Sequence, residues 1–327
     1  MNKKIVFLYD LRHPLHEKFL RTTGCDFVHF SKNPPKGYDI YIIEGTYIKP
    51  LLLKKIGKFD GKSKIVTLFS DPRLFYLKKG ILFDFKEKKI RRYPLLRGLM
   101  ARKMLKELDG AICIGNFIES LFRDFNKKSP ALNIPAFVFR ENTKKLEKIK
   151  PDLSSHDILF IGHGPDHYVK GIDLMIDVFK RVKIKFPDAN LYILGKWDVK
   201  KEWKNESIHF EGIQNIAPYL KKCSLSIHLG RGESFGINIL ETMLAGIPTI
   251  VSEYTGAKQA VIKADKNLIT SLDKEEIVNK IEGYFNQSLN KKETLSKKCR
   301  KAAEIFNEKD MLNQFRRNFP KFIEAIK

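Results

Sequence analysis

The chain has 327 residues and carries 61 lysines and arginines against 38 aspartates and glutamates, a formal net charge of +23. At roughly 150 residues per domain, that length suits two domains, each large enough for its own core. Cys25, Cys113, Cys223 and Cys299 lie far apart with no C-x-x-C pair, which argues against a disulfide framework or a zinc site and for reduced thiols in a cytosolic protein.

In chain order, the apolar core after Lys3 and Lys4 is too short for a signal peptide and predicts a first strand at 5–9. Further apolar runs at 39–43, 64–69 and 110–114 predict buried strands, with helices near 14–22, 94–107 and 117–125 between them. No apolar run approaches the ~20 residues of a spanning helix. The positive charge is lopsided: the first 150 residues hold 33 of the basic side chains and only 15 of the acidic ones. Between Lys78 and Lys106 there are 11 basic residues and two acids, interleaved with apolar side chains from Ile81 and Phe85 to Leu99, Met100 and Leu105. Such interleaving suits a surface for anionic lipid or another polyanion, the alternative being a solvated helix face. The polar stretch 141–155, with four lysines and Pro151, is the predicted linker.

The second half repeats the alternation. Strands are expected at 157–161, 191–194, 225–229 and 247–251, and the stripe Ile172, Met175, Phe179, Val182, Phe186 predicts a helix over 172–186. Alternating strands and helices imply parallel sheets covered by helices. The fold class expected is α/β, with two Rossmann-like doubly wound domains, 1–150 and 151–327, facing a cleft.

Two motifs in the second half carry chemistry. The loop from Gly162 to Gly171 looks like a dinucleotide fingerprint but fails it: the third glycine would fall at His167, and Lys196 follows Leu194-Gly195 where a ribose-binding acid is wanted. His163 and His167 are four apart, yet Pro165 lies between them, no carboxylate or cysteine cluster completes a set, and the chain has no D-x-D. No metal is expected. The second motif is the pair Glu233 and Glu241, eight positions or about two helical turns apart. Gly236 permits a tight strand-to-helix turn, Ile237, Leu240 and Leu244 share one helix face, and Gly246 and Pro248 end the helix. Free N–H groups at the helix start suit a phosphate, and the carboxylates suit hydroxyls. That combination describes a nucleotide sugar.

The stretch from about Ile158 to Val261 resembles the donor-binding half of a retaining glycosyltransferase of the glycosyltransferase B fold (glycosyl transferases group 1, family 4-like), a group that uses a Glu-x7-Glu signature. Phe160 to His163 and Lys170-Gly171-Ile-Asp173 resemble its phosphate loop and following helix, Leu191 to Gly195 and His209 to Gly212 its next strand ends, and Ala245 to Val251 with Thr255-Gly256 its closing strand and glycine turn. The resemblance implies that Lys170 neutralises the donor diphosphate, with His163 where relatives commonly have arginine. It implies that Glu233 stabilises charge at the anomeric carbon, that Phe235, Gly236 and Ile237 offer backbone N–H groups, and that Glu241 accepts from the ribose hydroxyls. It also implies retention of anomeric configuration without a settled nucleophile.

The first half departs more from that pattern. Tyr9 to Pro14, including Leu11 and Arg12, replaces a glycine-rich loop, and Asp71 stands where many relatives carry a cleft histidine. Asp71 is either a catalytic replacement or a turn acid. Gln259 replaces a glutamate, and Leu229-Gly230 a Pro-Ser. The expected activity is metal-independent transfer of a sugar from a nucleoside diphosphate donor to a lipid-linked or envelope glycan, with no cofactor and no nucleic acid. The expected site is cytoplasmic, at the inner face of the cell membrane, on the basic surface from Lys78 to Lys106. The alternative is a non-catalytic polyanion-binding or nucleic-acid-binding protein using the basic half, although no RRM, KH or zinc-finger pattern is present.

Overall fold

The computed structural model describes residues 3–326 except 11–12, 31–32, 85–88 and 165. Leu11, Arg12, Phe85, Lys88 and Pro165 therefore lie outside the described residues. The chain divides into two compact units, one formed by Met1–Asp84, Ile90–Ala136 and Lys309–Lys327, the other with Phe137–Glu308 as its continuous part.

The first unit runs β1 (Ile5–Tyr9), α1 (Pro14–Arg21), β2 (Asp26–His29), β3 (Ile40–Glu44), α2 (Ile48–Lys55), β4 (Lys64–Phe69), α3 (Arg73–Lys79), β5 (Ile81–Asp84), β6 (Lys89–Arg92), α4 (Leu95–Leu105), β7 (Gly110–Cys113), α5 (Gly115–Phe125) and β8 (Ala131–Asn133). Six strands form a parallel sheet in the order β2-β1-β3-β4-β7-β8, and β5 and β6 make a separate two-stranded sheet. The central strands are buried on both faces, as in Val6, Phe7, Leu8 and Ile40 to Ile43, which is why they read as unbroken apolar runs. Proline opens α1, where its missing N–H costs nothing, and Leu15, Phe19 and Leu20 turn inward.

The second unit contains α6 (Arg140–Leu146), β9 (Ile158–Ile161), α7 (His167–Lys170), α8 (Ile172–Lys185), β10 (Leu191–Leu194), β11 (Ile208–Gly212), α9 (Ala217–Lys222), β12 (Leu225–His228), α10 (Ile237–Leu244), β13 (Thr249–Ser252), α11 (Lys258–Ala264), β14 (Ile269–Thr270), α12 (Lys274–Phe285) and α13 (Leu289–Glu304). Its parallel sheet has the order β11-β10-β9-β12-β13-β14. Numbered within the unit, this is the order of doubly wound dinucleotide folds, and the direction of winding reverses between β9 and β12. The stripe Ile172, Met175, Phe179 and Val182 of α8 is buried as its period requires.

The boundaries differ from an even division at residue 150. The stretch 141–155 does not behave as a linker: α6 packs on α10, and Asn142 reaches Glu241. The last helix, α14 (Glu308–Ala325), belongs with the first unit. Its Phe315 stands edge-on to Phe19 at 5.2 Å, and Phe322 fills the space over Gly110, where a Cβ would lie 3.1 Å from its ring. Apolar periodicity alone shows that such a helix is amphipathic, not which sheet it covers. None of the four cysteines, all described, is bonded to another. Among the described residues no helix is long and apolar enough to cross a membrane.

Candidate active site

Where the winding of a doubly wound sheet reverses, the loops leaving the two central strands diverge and open a crevice at their carboxyl ends. In the second unit those loops follow β9 and β12, and they hold Lys170 and Glu233. Glycines bring the two connections together. Gly171 has φ +73°, and a Cβ there would lie 2.1 Å from the Leu229 carbonyl oxygen, so only glycine fits. Arg231 N–H donates to the Val169 carbonyl at 2.8 Å, and its guanidinium grips both oxygens of Asp173 at 2.8 and 3.1 Å while covering the Tyr168 ring. This bidentate clamp ties the β12 loop to the first turn of α8.

Inside the clamp, the Lys170 ammonium pairs with Glu233 Oε2. His228, the last residue of β12 and 2% exposed, points its Nε2 at the same oxygen from 3.7 Å. Burial opposes ionisation of Glu233, but the Lys170 charge, His228 and hydrogen bonds from Lys170 and the Ser234 backbone outweigh it and hold the carboxyl below its usual range. Burial first, and the Lys170 charge with it, drops the His228 imidazole to about 4 against the pull of Glu233, so it is neutral near pH 7. Its Nδ1 is buried without a hydrogen-bond partner.

The Glu233 loop is held from its other side by the turn after β13. Glu233 N–H donates to the Tyr254 carbonyl at 3.0 Å, Gly256 N–H to the Glu233 carbonyl at 3.0 Å, and Ala257 N–H to the Phe235 carbonyl at 2.8 Å. Phe235 is buried with its ring against Phe306, so only its backbone faces the site. Gly236, at φ +88°, caps the helix that Ile237 begins. At the start of α10 the Ile239 N–H donates to the Gly236 carbonyl at 3.0 Å, while the Ile237 and Asn238 N–H groups precede any i−4 carbonyl of the helix, an arrangement that suits an anion. Glu241 follows on α10. Burial raises its pKa, while the Asn142 amide, donating at 3.4 Å, acts the other way.

The structure thus gathers Lys170, Glu233, Phe235, Gly236, Ile237 and Glu241 in one region of the second unit. His163 is exposed on the β9 loop. Asp71 belongs to the first unit, where its carboxylate accepts from the Arg73 backbone and pairs with the Arg73 guanidinium, both at 2.9 Å. Those bonds fit a turn acid. Burial raises its pKa and Arg73 opposes the rise. Nearby, His16 pairs with Glu44, and His13 stacks on His16. Among the described residues no group of three His, Cys, Asp or Glu side chains is placed to hold a metal.

Sequence reading misses His228 and Asn142. The histidine ends an apolar strand run, and a polar residue there is the available signal. Asn142 sits in what reads as a linker and carries none.

Fold and site together define a two-domain protein of the glycosyltransferase B fold. The family described as glycosyl transferases group 1 matches residues 141–304, half of the chain, and the chain belongs to that family. An uncharacterized glycosyltransferase of Methanocaldococcus jannaschii is 26% identical over 171 residues, covering 49% of this chain and 45% of that protein. The chain spans less than half the length of the curated relatives it matches. Among solved structures, the HepE protein of Anabaena in complex with UDP and glucose superposes with a TM-score of 0.65 at 14% identity, covering 99% of this chain and 100% of that one. A sucrose-phosphate synthase from Thermosynechococcus elongatus gives 0.64 at 17% identity, covering 88% and 75%.

Proposed function

We propose that the protein is a metal-independent, retaining glycosyltransferase that moves a sugar from a nucleoside diphosphate donor to a lipid-linked or envelope glycan. The observation that carries this is the meeting of Lys170, Glu233 and the start of α10 at the winding reversal of the second unit, with Glu241 further along the same helix. Lys170 and the helix N–H groups neutralise the diphosphate, Glu241 takes the ribose hydroxyls, and Glu233 supports positive charge at the anomeric carbon as the bond to phosphate breaks. The acceptor hydroxyl attacks from the face the diphosphate leaves, and a phosphate oxygen takes its proton. UDP and glucose in the Anabaena relative support a nucleotide-sugar donor.

A membrane-borne acceptor is supported by α4. Leu95, Leu96, Leu99 and Met100 are exposed at its start, beside exposed Arg91, Arg92, Arg97 and Lys103. Apolar side chains that dip into an interface next to cations attracted to anionic headgroups suit a peripheral protein at the inner face of the cell membrane. The test is incubation with a panel of nucleotide sugars and polyprenyl-linked acceptors in the presence of EDTA, with the product linkage read by NMR. A retained anomeric centre is expected. An inverted one overturns the mechanism, and absence of any transfer together with tight RNA binding replaces this reading with the polyanion-binding one.

A further inference from the structure

Lys170 is the cation proposed to meet the donor diphosphate, yet it is already spent on Glu233. Its stem runs over Gly164, where a Cβ would lie 2.9 Å from the Lys170 Cε, so the loop glycine leaves the path that aims the ammonium at Glu233. The carboxylate of Asp173 is taken by Arg231. Both members of the pair are largely sheltered, with Lys170 20% and Glu233 12% exposed at the side chain. His228 is the other polar neighbour of Glu233 Oε2, and it lies 3.7 Å away, beyond hydrogen-bond reach. A diphosphate arriving at Lys170 therefore meets one cation between two anions.

We propose that the donor diphosphate and Glu233 compete for Lys170, so that diphosphate binding itself releases the Glu233 carboxylate toward the sugar. This rests on the donor site described above. Once Lys170 turns to phosphate, Glu233 is a buried anion left with the Ser234 backbone N–H and a distant imidazole but no charged partner, and a buried charge without its counter-ion draws in any available donor. The hydroxyls of the transferred sugar supply such donors, whereas a bare diphosphate brings none. The exchange thus couples recognition of the phosphate to engagement of the sugar and favours intact donor over spent nucleotide.

The test is calorimetric titration with inorganic pyrophosphate, which needs no knowledge of the base, across wild type, Glu233→Gln, Lys170→Gln and the double variant. Freeing Lys170 from its carboxylate is expected to tighten pyrophosphate about tenfold in Glu233→Gln, the scale of one charge-assisted hydrogen bond. In the Lys170→Gln background the same change at residue 233 is expected to gain less than about twofold, because neighbours of one network couple. Equal gains in both backgrounds overturn the competition and leave only loss of a nearby negative charge. An unchanged affinity in Glu233→Gln overturns it too. Should Glu233→Gln not fold, Glu233→Asp, one methylene short of Lys170, is expected to show the same tightening. If neither pyrophosphate nor any nucleoside diphosphate binds any of the proteins, the donor-site reading falls and the competition with it.

Discussion

Gly256→Ala isolates the turn that positions Glu233. A Cβ at residue 256 would lie 1.9 Å from the Ser234 carbonyl oxygen and 2.8 Å from Phe235 Cα, all backbone that cannot rotate away. Restoring ordinary contact requires the two strands of chain to part by more than about 1 Å, which breaks the Gly256-to-Glu233 and Ala257-to-Phe235 hydrogen bonds. Two buried backbone bonds left unmade cost about 2–4 kcal/mol, a fall in Tm of several degrees. A reacting group displaced by about 1 Å costs on the order of 10²-fold in rate. The assay pairs thermal unfolding with donor turnover, using Gly283→Ala as control, since no atom lies within 4 Å of the Cβ position at this helical glycine. The control is expected to be neutral or slightly stabilising. Wild-type stability and turnover in Gly256→Ala would refute the reasoning.

Lys170→Ala should lose about 10²–10³ in rate while EDTA changes little, measured as nucleotide release; loss with EDTA and recovery with Mn²⁺ contradicts it. The neutral, buried His228 makes stability fall with acid. Between pH 6.5 and about 4 the unfolded chain takes up a proton at this residue that the folded one refuses, removing about 3 kcal/mol across that window, and His228→Leu should flatten that slope in chemical unfolding. Reversing Arg91, Arg92, Arg97 and Lys103 to glutamate should abolish sedimentation with phosphatidylglycerol vesicles, at about 1 kcal/mol per charge, with nucleotide binding unchanged. Indifference of the wild type to such vesicles removes the membrane assignment.

The central strands were legible because a parallel strand buried on both faces reads as a largely apolar run, as in Val6 to Leu8 of β1 and Ile40 to Ile43 of β3. Edge strands escape that rule. The run Asp26–His29 is half exposed and polar at both ends, and β8 has three residues, so neither offers an apolar signal. The strand-to-helix turn that carries Glu233 and Glu241 was legible because a turn glycine, a helix face and two carboxylates at fixed spacing all lie within one short stretch. What remained hidden depends on contacts between distant segments: Arg231 on Asp173, Asn142 on Glu241, His228 behind Glu233, and the return of α14 to the first sheet. No local pattern records these.

The central claim is that α10 and the loops after β9 and β12 form a nucleotide-sugar site, and calorimetric titration of wild type and Glu241→Ala with a panel of nucleoside diphosphates tests it most directly. At least one nucleotide should bind the wild type, and removal of the ribose-accepting carboxylate should weaken it by roughly 1.5–3 kcal/mol, about 10- to 150-fold. Equal affinity in the two proteins, or no binding of any nucleotide to the wild type, would contradict the account.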